Sequence, residues 1–588
     1  MKSLQISALH QAYAKGEETV ASVMEKCLQQ ADELAPEVWI RKLTAEEVSI
    51  YVGALKGESP ETKPLYGIPF VIKDNIDLAG IPTTAACPEY SYVPDQSAHV
   101  VARLIEAGAI PLGKTNMDQF ATGLVGTRSP YGACPNSFDP AYVSGGSSSG
   151  SAVAVAEGCA SFSLGTDTAG SGRVPAAFNN LIGLKPSRGA LSCSGVVPAC
   201  KSLDCVSVFA LDASDAQTVF EVVNDFDPGD CYSRELEQVP VISSGWKFGV
   251  PKREQLKFFG SREYESAFSE SLDMLEKAGG TRVEVDFQPF LDAADLLYSG
   301  AWVNERYAAV GPFIEEHPEA VLETTRNIIL SGLDIAAPDV FRGFYTLQEF
   351  KRIADAVMRS VDLIVTPTAG TPYTIDEVNA DPVQLNTNLG YYTNYMNLLD
   401  YAAIAVPTVL TPSVPFGVTL LSFAGHDLKL LQLADRLHQV SGLNVGKTDR
   451  RPTPLELPAK KKRTIDLAVC GAHLNGYPLH HQLEELGASF VESTETAKSY
   501  RMYAFETDGI AKPGLIRDAE KGRRIYVEIY RMTYQNFGKF VAAIPAPLGI
   551  GKIKLRGGAE VCGFIAEPEV AAIGKEITEL GDWRKFAG

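Results

Sequence analysis

Two glycine- and serine-rich stretches lie close together in the chain, SGGSSSGSAVAVAEG from Ser144 and FSLGTDTAGSGRVPAA from Phe162. Each runs into small or proline-initiated residues that open a helix, so each loop sits at a helix N-terminus. There the backbone N–H groups have no intrahelical acceptor and point outward. A serine beside such free N–H groups is equipped as a nucleophile with an oxyanion hole. Read without context, the same stretches are ordinary Gly/Ser turns. The proton of an attacking serine needs a base, and neither stretch contains one of the chain's eight histidines. Triad partners are often distant in sequence, so a Ser–His–Asp arrangement stays open. A lysine is the main alternative. Lys73 closes the apolar run GIPFVIK, whose pattern predicts a buried strand over Ile68–Lys73. Burial disfavours the charged amine and makes neutral lysine accessible near pH 7. Spacing alone favours a lysine that snorkels to solvent.

The elements that must position these groups alternate between helix and strand. Residues 1–60 read as helices. SAHVVARLIEAG is a helix with Val100, Val101, Leu104 and Ile105 inward and Gly108 as its stop, and AIPLGKTN is a strand. A small-residue helix is expected over Ala152–Glu157, and another begins at Val174–Pro175. The alternation continues to about residue 425, the pattern of an α/β protein. GAIPLGKT, Gly108 to Thr115, matches a P-loop only formally. It begins where a helix ends and puts Pro111 in a strand, the reverse of the strand-to-helix order that cradles phosphate. GLNVGKT, from Gly442, is one residue too short for the motif.

Near Thr448 the composition shifts to Pro and charge, and residues 448–464 read as a linker. Beyond it, TIDLAVCGAHLNG, YRMYAFE, RRIYVEIYRM, GKIKL and AEVCGFIAE read as short strands. Residues 465–588 are thus a small β-rich domain, expected to end in a helix through EVAAIGKEITEL. A chain of 588 residues exceeds one core, in keeping with two domains. A net charge of −19 argues against a nucleic-acid groove. The N-terminal residues lack the apolar core of a signal peptide, and no run of about 18 apolar residues predicts a membrane span. The ten cysteines form no CxxC pair, and Cys193, Cys200 and Cys205 lack zinc-ligand spacing, so reduced thiols and a cytoplasmic protein are expected.

GIPFVIKDNID, GGSSSGSAVAV and GTDTAGSGRVPAA together resemble the amidase signature family over roughly residues 60–430. The resemblance implies a mixed β-sheet covered by helices on both faces and a Ser–cis-Ser–Lys triad. Carried over by motif position, the nucleophile is Ser171, the bridging serine in a cis peptide is Ser147 and the base is Lys73. The backbone N–H groups of Thr168, Ala169, Gly170 and Ser171 form the oxyanion hole, while Asp167 and Arg173 brace the loop. In the relay this implies, neutral Lys73 takes a proton from Ser147, Ser147 takes one from Ser171, and Ser171 forms an acyl-enzyme. No metal and no organic cofactor is implied.

GIPTTAACPEY, TNMDQFATGLVGTRSPYG, GVVPACKSLDCVSVFAL and LLYSGAWVNERY are more closely similar to the allophanate-hydrolysing branch of that family. Tyr298, Trp302 and Arg306 follow i, i+4, i+8 spacing and would share one face of a helix. By the resemblance Tyr298 and Arg306 clamp the substrate carboxylate and the backbone near Gly123 lines the pocket. The branch carries a C-terminal domain similar to the γ-glutamyl cyclotransferase barrel. VCGAHLNGYPL stands where that fold has its tyrosine–glycine ligand loop, but Cys470 replaces the tyrosine and the cyclotransferase glutamate has no match, so cyclotransferase activity is not expected. His473 is the candidate there for decarboxylating the first product, N-carboxycarbamate; a plain loop histidine fits as well. A homodimer and a urea carboxylase as partner or pathway neighbour are expected, with no nucleic acid and no membrane. The alternatives are hydrolysis of malonamate or biuret, glutamine hydrolysis as in tRNA amidotransferases, and a non-catalytic scaffold.

Overall fold

Eleven strands build one mixed sheet: β1 (Trp39–Lys42), β2 (Ile68–Lys73), β3 (Ala109–Thr115), β4 (Phe162–Thr166), β5 (Ile182–Lys185), β6 (Val206–Ala210), β7 (Lys247–Pro251), β8 (Thr281–Val285), β9 (Leu363–Pro367), β10 (Tyr401–Val409) and β11 (Phe416–Phe423). Their order across the sheet is β1-β3-β2-β4-β6-β5-β10-β11-β9-β7-β8. β3, β2 and β4 are mutually parallel, as are β9, β7 and β8. The strands between β4 and β9 pair antiparallel. β2, β3, β4 and β6 are buried at every position, which requires cover on both faces. Along β9, β10 and β11, Leu363, Ile404 and Leu420 enter one apolar cluster while their neighbours Ile364, Ala403 and Leu421 enter another; on β2 and β6 both faces feed the first cluster. This is the expected α/β architecture.

The computed structural model describes residues 3–239, 245–455, 464–507 and 509–588. It divides into two units, Met1–Glu456 and Leu457–Gly588. Residues 456–463, half of the expected linker, lie outside the described residues. Its first part is held on the first unit: the Thr453 amide donates to Asp212 Oδ2 at 2.8 Å, and Gln5 Nε2 donates to Thr453 Oγ1 at 2.9 Å.

Residues 1–60 are not wholly helical. Pro36 opens a single 3₁₀ turn, and Trp39–Lys42 continues as the edge strand β1 against β3. The P-loop look-alike is strand β3, with the Lys114 ammonium fully buried and donating to Thr83 Oγ1 at 2.9 Å. The small-residue helix begins earlier than expected, at Ser149, and runs to Ala156. It presses backbone to backbone on the first unit's edge, because a Cβ on Gly150 would lie 2.2 Å from the Val38 carbonyl oxygen.

In the second unit β12 (Thr464–Val469), β13 (Ser489–Glu495), β16 (Tyr526–Thr533), β17 (Leu548–Lys554) and β18 (Glu560–Ala566) form one sheet, and β14 (Tyr500–Thr507), β15 (Ile510–Arg517) and β19 (Lys575–Glu576) another. Leu467, Ile529 and Phe564 of the first and Met502 and Leu515 of the second share one core. Sequence periodicity missed β13, β15 and the helix Tyr534–Ala542. The expected last helix is only Val570–Ile573; Gly574 ends it, and Lys575–Glu576 pairs with Tyr503 and Ala504 instead. Among the described residues no helix is long and apolar enough to cross a membrane.

Gly150→Ala should destabilise the first unit by about 1–3 kcal/mol, since the facing carbonyl cannot withdraw as a side chain would. Gly343→Ala, on a helix where the new Cβ would meet nothing closer than Ala301 Cβ at 3.5 Å, should instead gain roughly 0.5–1 kcal/mol. Denaturant titration of both variants checks the pair.

Candidate active site

β2 delivers Lys73 with its side chain fully buried. Its amine lies 2.8 Å from Ser147 Oγ and 2.6 Å from Thr166 Oγ1 at the end of the neighbouring β4. The Gly146–Ser147 peptide is cis. Ser147 Oγ is 3.0 Å from Ser171 Oγ, which is 3.5 Å from the Gly123 carbonyl oxygen. With Lys73 charged, each group donates to the next, from Lys73 to Ser147 to Ser171 to Gly123. Loss of the lysine proton lets the two hydroxyls reverse, since a hydroxyl both donates and accepts. Burial pushes the Lys73 ammonium down to about 7, against the opposing pull of Asp118, Asp204 and Asp167.

The Ser171 loop is organised by Asp167. Its Oδ2 accepts from Arg173 Nε at 2.8 Å and from the Gly172 amide at 3.0 Å; its Oδ1 accepts from an Arg173 terminal nitrogen at 3.0 Å and from the Gly170 amide at 2.7 Å. Burial opposes ionisation of Asp167, but Arg173 first, then Lys185 and the Gly170 amide, outweigh it and hold the carboxyl below its ordinary value. Asn397 donates to the Asp167 and Thr168 carbonyls. The Gly170 N–H, expected in the oxyanion hole, is therefore already committed. Among the described residues no protein acceptor engages the amides of Thr168, Ala169 or Ser171.

Tyr298 and Arg306 do not share one continuous helix. Gly300 leaves helical geometry at φ −132°, ψ −158°, so Tyr298 lies in the last turn of the helix Gln288–Ser299 while Trp302 and Arg306 lie on Ala301–Glu316. The break still stacks the pair, with the Arg306 guanidinium 5.4 Å from the Tyr298 ring centre. Arg306 is 2% exposed and Tyr298 36%, so the tyrosine reaches the surface and the cation beneath it does not. Arg306 donates to Thr122 Oγ1 at 3.2 Å, next to Gly123, and its buried Nε–H has no partner among the described residues.

Sequence reasoning missed four residues here. Thr166 shares the lysine, and its place at the end of β4 was the available signal. Asp118, Asp204 and Arg128 carried none, being single charges in loops. Asp204 accepts from Thr168 Oγ1 and from the Ala199 amide, and burial raises its carboxyl to about 6. Arg128 is buried and donates to the Thr122 carbonyl at 2.9 Å.

In the second unit, His473 lines a cavity of 280 Å³ with Cys470, Gln482, Lys512 and Phe564. Its ring stacks on Phe564 with centroids 5.1 Å apart, and its Nε2 meets Gln482 Oε1 at 3.0 Å. Burial pushes its pKa down to about 4. Lys512 is 8% exposed.

Residues 22–431 match the Amidase family model, and residues 465–588 match the allophanate hydrolase C-terminal domain. The urea amidolyase of Lachancea kluyveri is 43% identical over 574 residues, 94% of this chain; the match spans only 31% of that protein. A glutamyl-tRNA(Gln) amidotransferase chain from Methanosarcina acetivorans is 33% identical over 61% of this chain and 81% of its own length. A solved Kluyveromyces lactis allophanate hydrolase superposes with a TM-score of 0.76 at 41% identity, covering 100% of this chain and 99% of its own.

Asp167→Ala leaves the Arg173 guanidinium buried and unpaired, a loss of about 3–5 kcal/mol. In wild type the stability that Asp167 contributes should be present above the unfolded carboxylate pKa and fade as pH falls through the depressed folded value. Urea titrations at neutral and acidic pH should show the gap between the two proteins narrowing in acid.

Proposed function

The chain belongs to the amidase family, and from that premise we propose that it is an amidohydrolase acting on allophanate. The observation that carries the reading is a buried amine–serine–serine relay ending beside a buried arginine whose Nε–H has no partner among the described residues. Allophanate carries a carboxylate a few bonds from its amide carbonyl. A carboxylate entering a desolvated site needs a paired cation. Arg306 is that cation, and the exposed Tyr298 stacked on it supplies a hydroxyl donor.

In this reading neutral Lys73 accepts the Ser147 proton while Ser147 accepts that of Ser171, and Ser171 Oγ adds to the amide carbonyl. The amides of Thr168, Ala169 and Ser171 receive the oxyanion. The relay then returns the proton to the departing nitrogen, which leaves as ammonia, and water releases N-carboxycarbamate from the acyl-enzyme by the same steps. We assign this chemistry to residues 1–447. Residues 465–588 are assigned the decarboxylation of that product, with His473 held neutral in the cavity. The free-standing product chemistry yields carbon dioxide and a second ammonia. A urea-carboxylating activity supplies the substrate, since the urea amidolyase relatives extend well beyond the region matched here. We further propose a cytoplasmic homodimer.

Ammonia release across allophanate, biuret, malonamate and glutamine tests the substrate: allophanate should have the highest kcat/KM, and a preference for glutamine would return the chain to the amidotransferase reading. Ser171→Ala should abolish turnover while melting like wild type. Activity should fall as pH drops below about 7, because protonated Lys73 cannot accept a proton.

Arg306→Ala should cut kcat/KM for allophanate tenfold to hundredfold, roughly the worth of one charge-assisted bond at about 1.5–3 kcal/mol, and harm an uncharged amide far less. Arg306→Lys should recover part of the loss, since a point charge lacks the planar fork. Equal damage to both substrates would make Arg306 structural.

A further inference from the structure

The loop that bears Ser147 and the loop that bears the Gly123 carbonyl meet on one buried carboxylate. Asp118 Oδ2 accepts from the amides of Val125 at 3.2 Å and Gly126 at 3.1 Å, and Oδ1 accepts from the Arg128 amide at 3.0 Å. The Asp118 amide donates to the Ser147 carbonyl at 3.0 Å. The approach is close enough to exclude side chains: a Cβ would lie 2.1 Å from Asp118 Oδ2 if placed on Gly146, and 2.6 Å if placed on Gly123. One carboxylate thus occupies the space between the peptide that orients Ser147 and the peptide that faces Ser171.

Three buried carboxylates face Lys73. Asp167 is neutralised by its paired arginine, and Asp204 accepts from Thr168 Oγ1 and two backbone amides. Asp118 is fully buried, and among the described residues no cation pairs with it within 4.0 Å; three amide dipoles hold it, and the buried Arg128 guanidinium acts on it from farther off. Its charge is the strongest of the three pulling on the lysine proton.

We propose that Asp118 is a positioning residue for the amidase reaction, clamping the Ser147 loop to the Gly123 loop and keeping a negative charge beside the Lys73 relay. This rests on the reading of Lys73 as the base. Ser147 supplies the relay's geometry and Asp118 the field in which the relay works. Burial alone would strip the lysine of its proton too readily for it to return one to the leaving nitrogen; the nearby carboxylate keeps the two states balanced.

The test is the pH dependence of kcat and KM in wild type and Asp118→Asn. The amide removes the charge and must turn its NH₂ toward either the Val125 and Gly126 amides or the Arg128 amide, so one side of the clamp opens. With the carboxylate gone, Lys73 loses its proton at lower pH, and the acid limb of kcat should move down by about one pH unit. The plateau kcat should fall about tenfold or more, because a small misplacement of reacting groups carries a large rate penalty, and KM should change less. If Asp118→Asn does not melt cooperatively, Asp118→Ser, which also removes the charge, carries the same measurement. An acid limb at the wild-type pH, whatever the plateau, overturns the proposal. A wild-type profile flat through pH 7 refutes the lysine base itself, and the proposal with it.

Discussion

Desolvation of a single amine governs the arrangement. β2 is buried from end to end, and Lys73 is its last residue. Had the side chain reached water it would stay charged and could take no proton; enclosed, it sits near neutrality. Enclosure brings a second demand, because every polar group around a buried amine must itself be satisfied. Thr166 and Ser147 accept from the amine, and the carboxylates of three loops pull on its proton from farther off. The glycines at 123 and 146 are the geometric condition for that packing, since each leaves a space that an oxygen of Asp118 fills.

The buried Arg306 shows the same economy from the opposite side. Arg306 keeps its charge in burial against the Thr122 hydroxyl and the Tyr298 ring, and among the described residues its Nε–H has no acceptor. An idle buried donor costs free energy, and here the cost is borne beside the serine relay. In the proposed reading an anion would supply the acceptor that this donor lacks, and a neutral molecule of the same shape would not.

Much of this was legible before any coordinates. The apolar run ending in Lys73, the two loops opening helices and the alternation of helix and strand come from local patterns of period and punctuation, and the sheet reproduces them. What escaped was set by tertiary pairing. Trp39–Lys42 is a strand because β3 offers it an edge, and Lys575–Glu576 because β14 does. The break at Gly300 was readable from the glycine, but the i, i+4, i+8 spacing of its neighbours hid it. Asp118 and Asp204 could not be found, because a lone acid in a loop has no periodicity and acquires meaning only from the backbone amides that fold around it.

A lysine poised near 7 also changes how the molecule would be diagnosed. A kinetic midpoint in that range is ordinarily assigned to imidazole, yet burial holds His426, His438 and His473 down at about 4. With Lys73 as the base, the proton counted in a rate profile would mimic histidine while belonging to an amine. The two differ in heat rather than in midpoint: amine ionisation is the more endothermic, so warming should slide the limb toward acid faster than any imidazole would. Reagents selective for histidine would leave that titration in place.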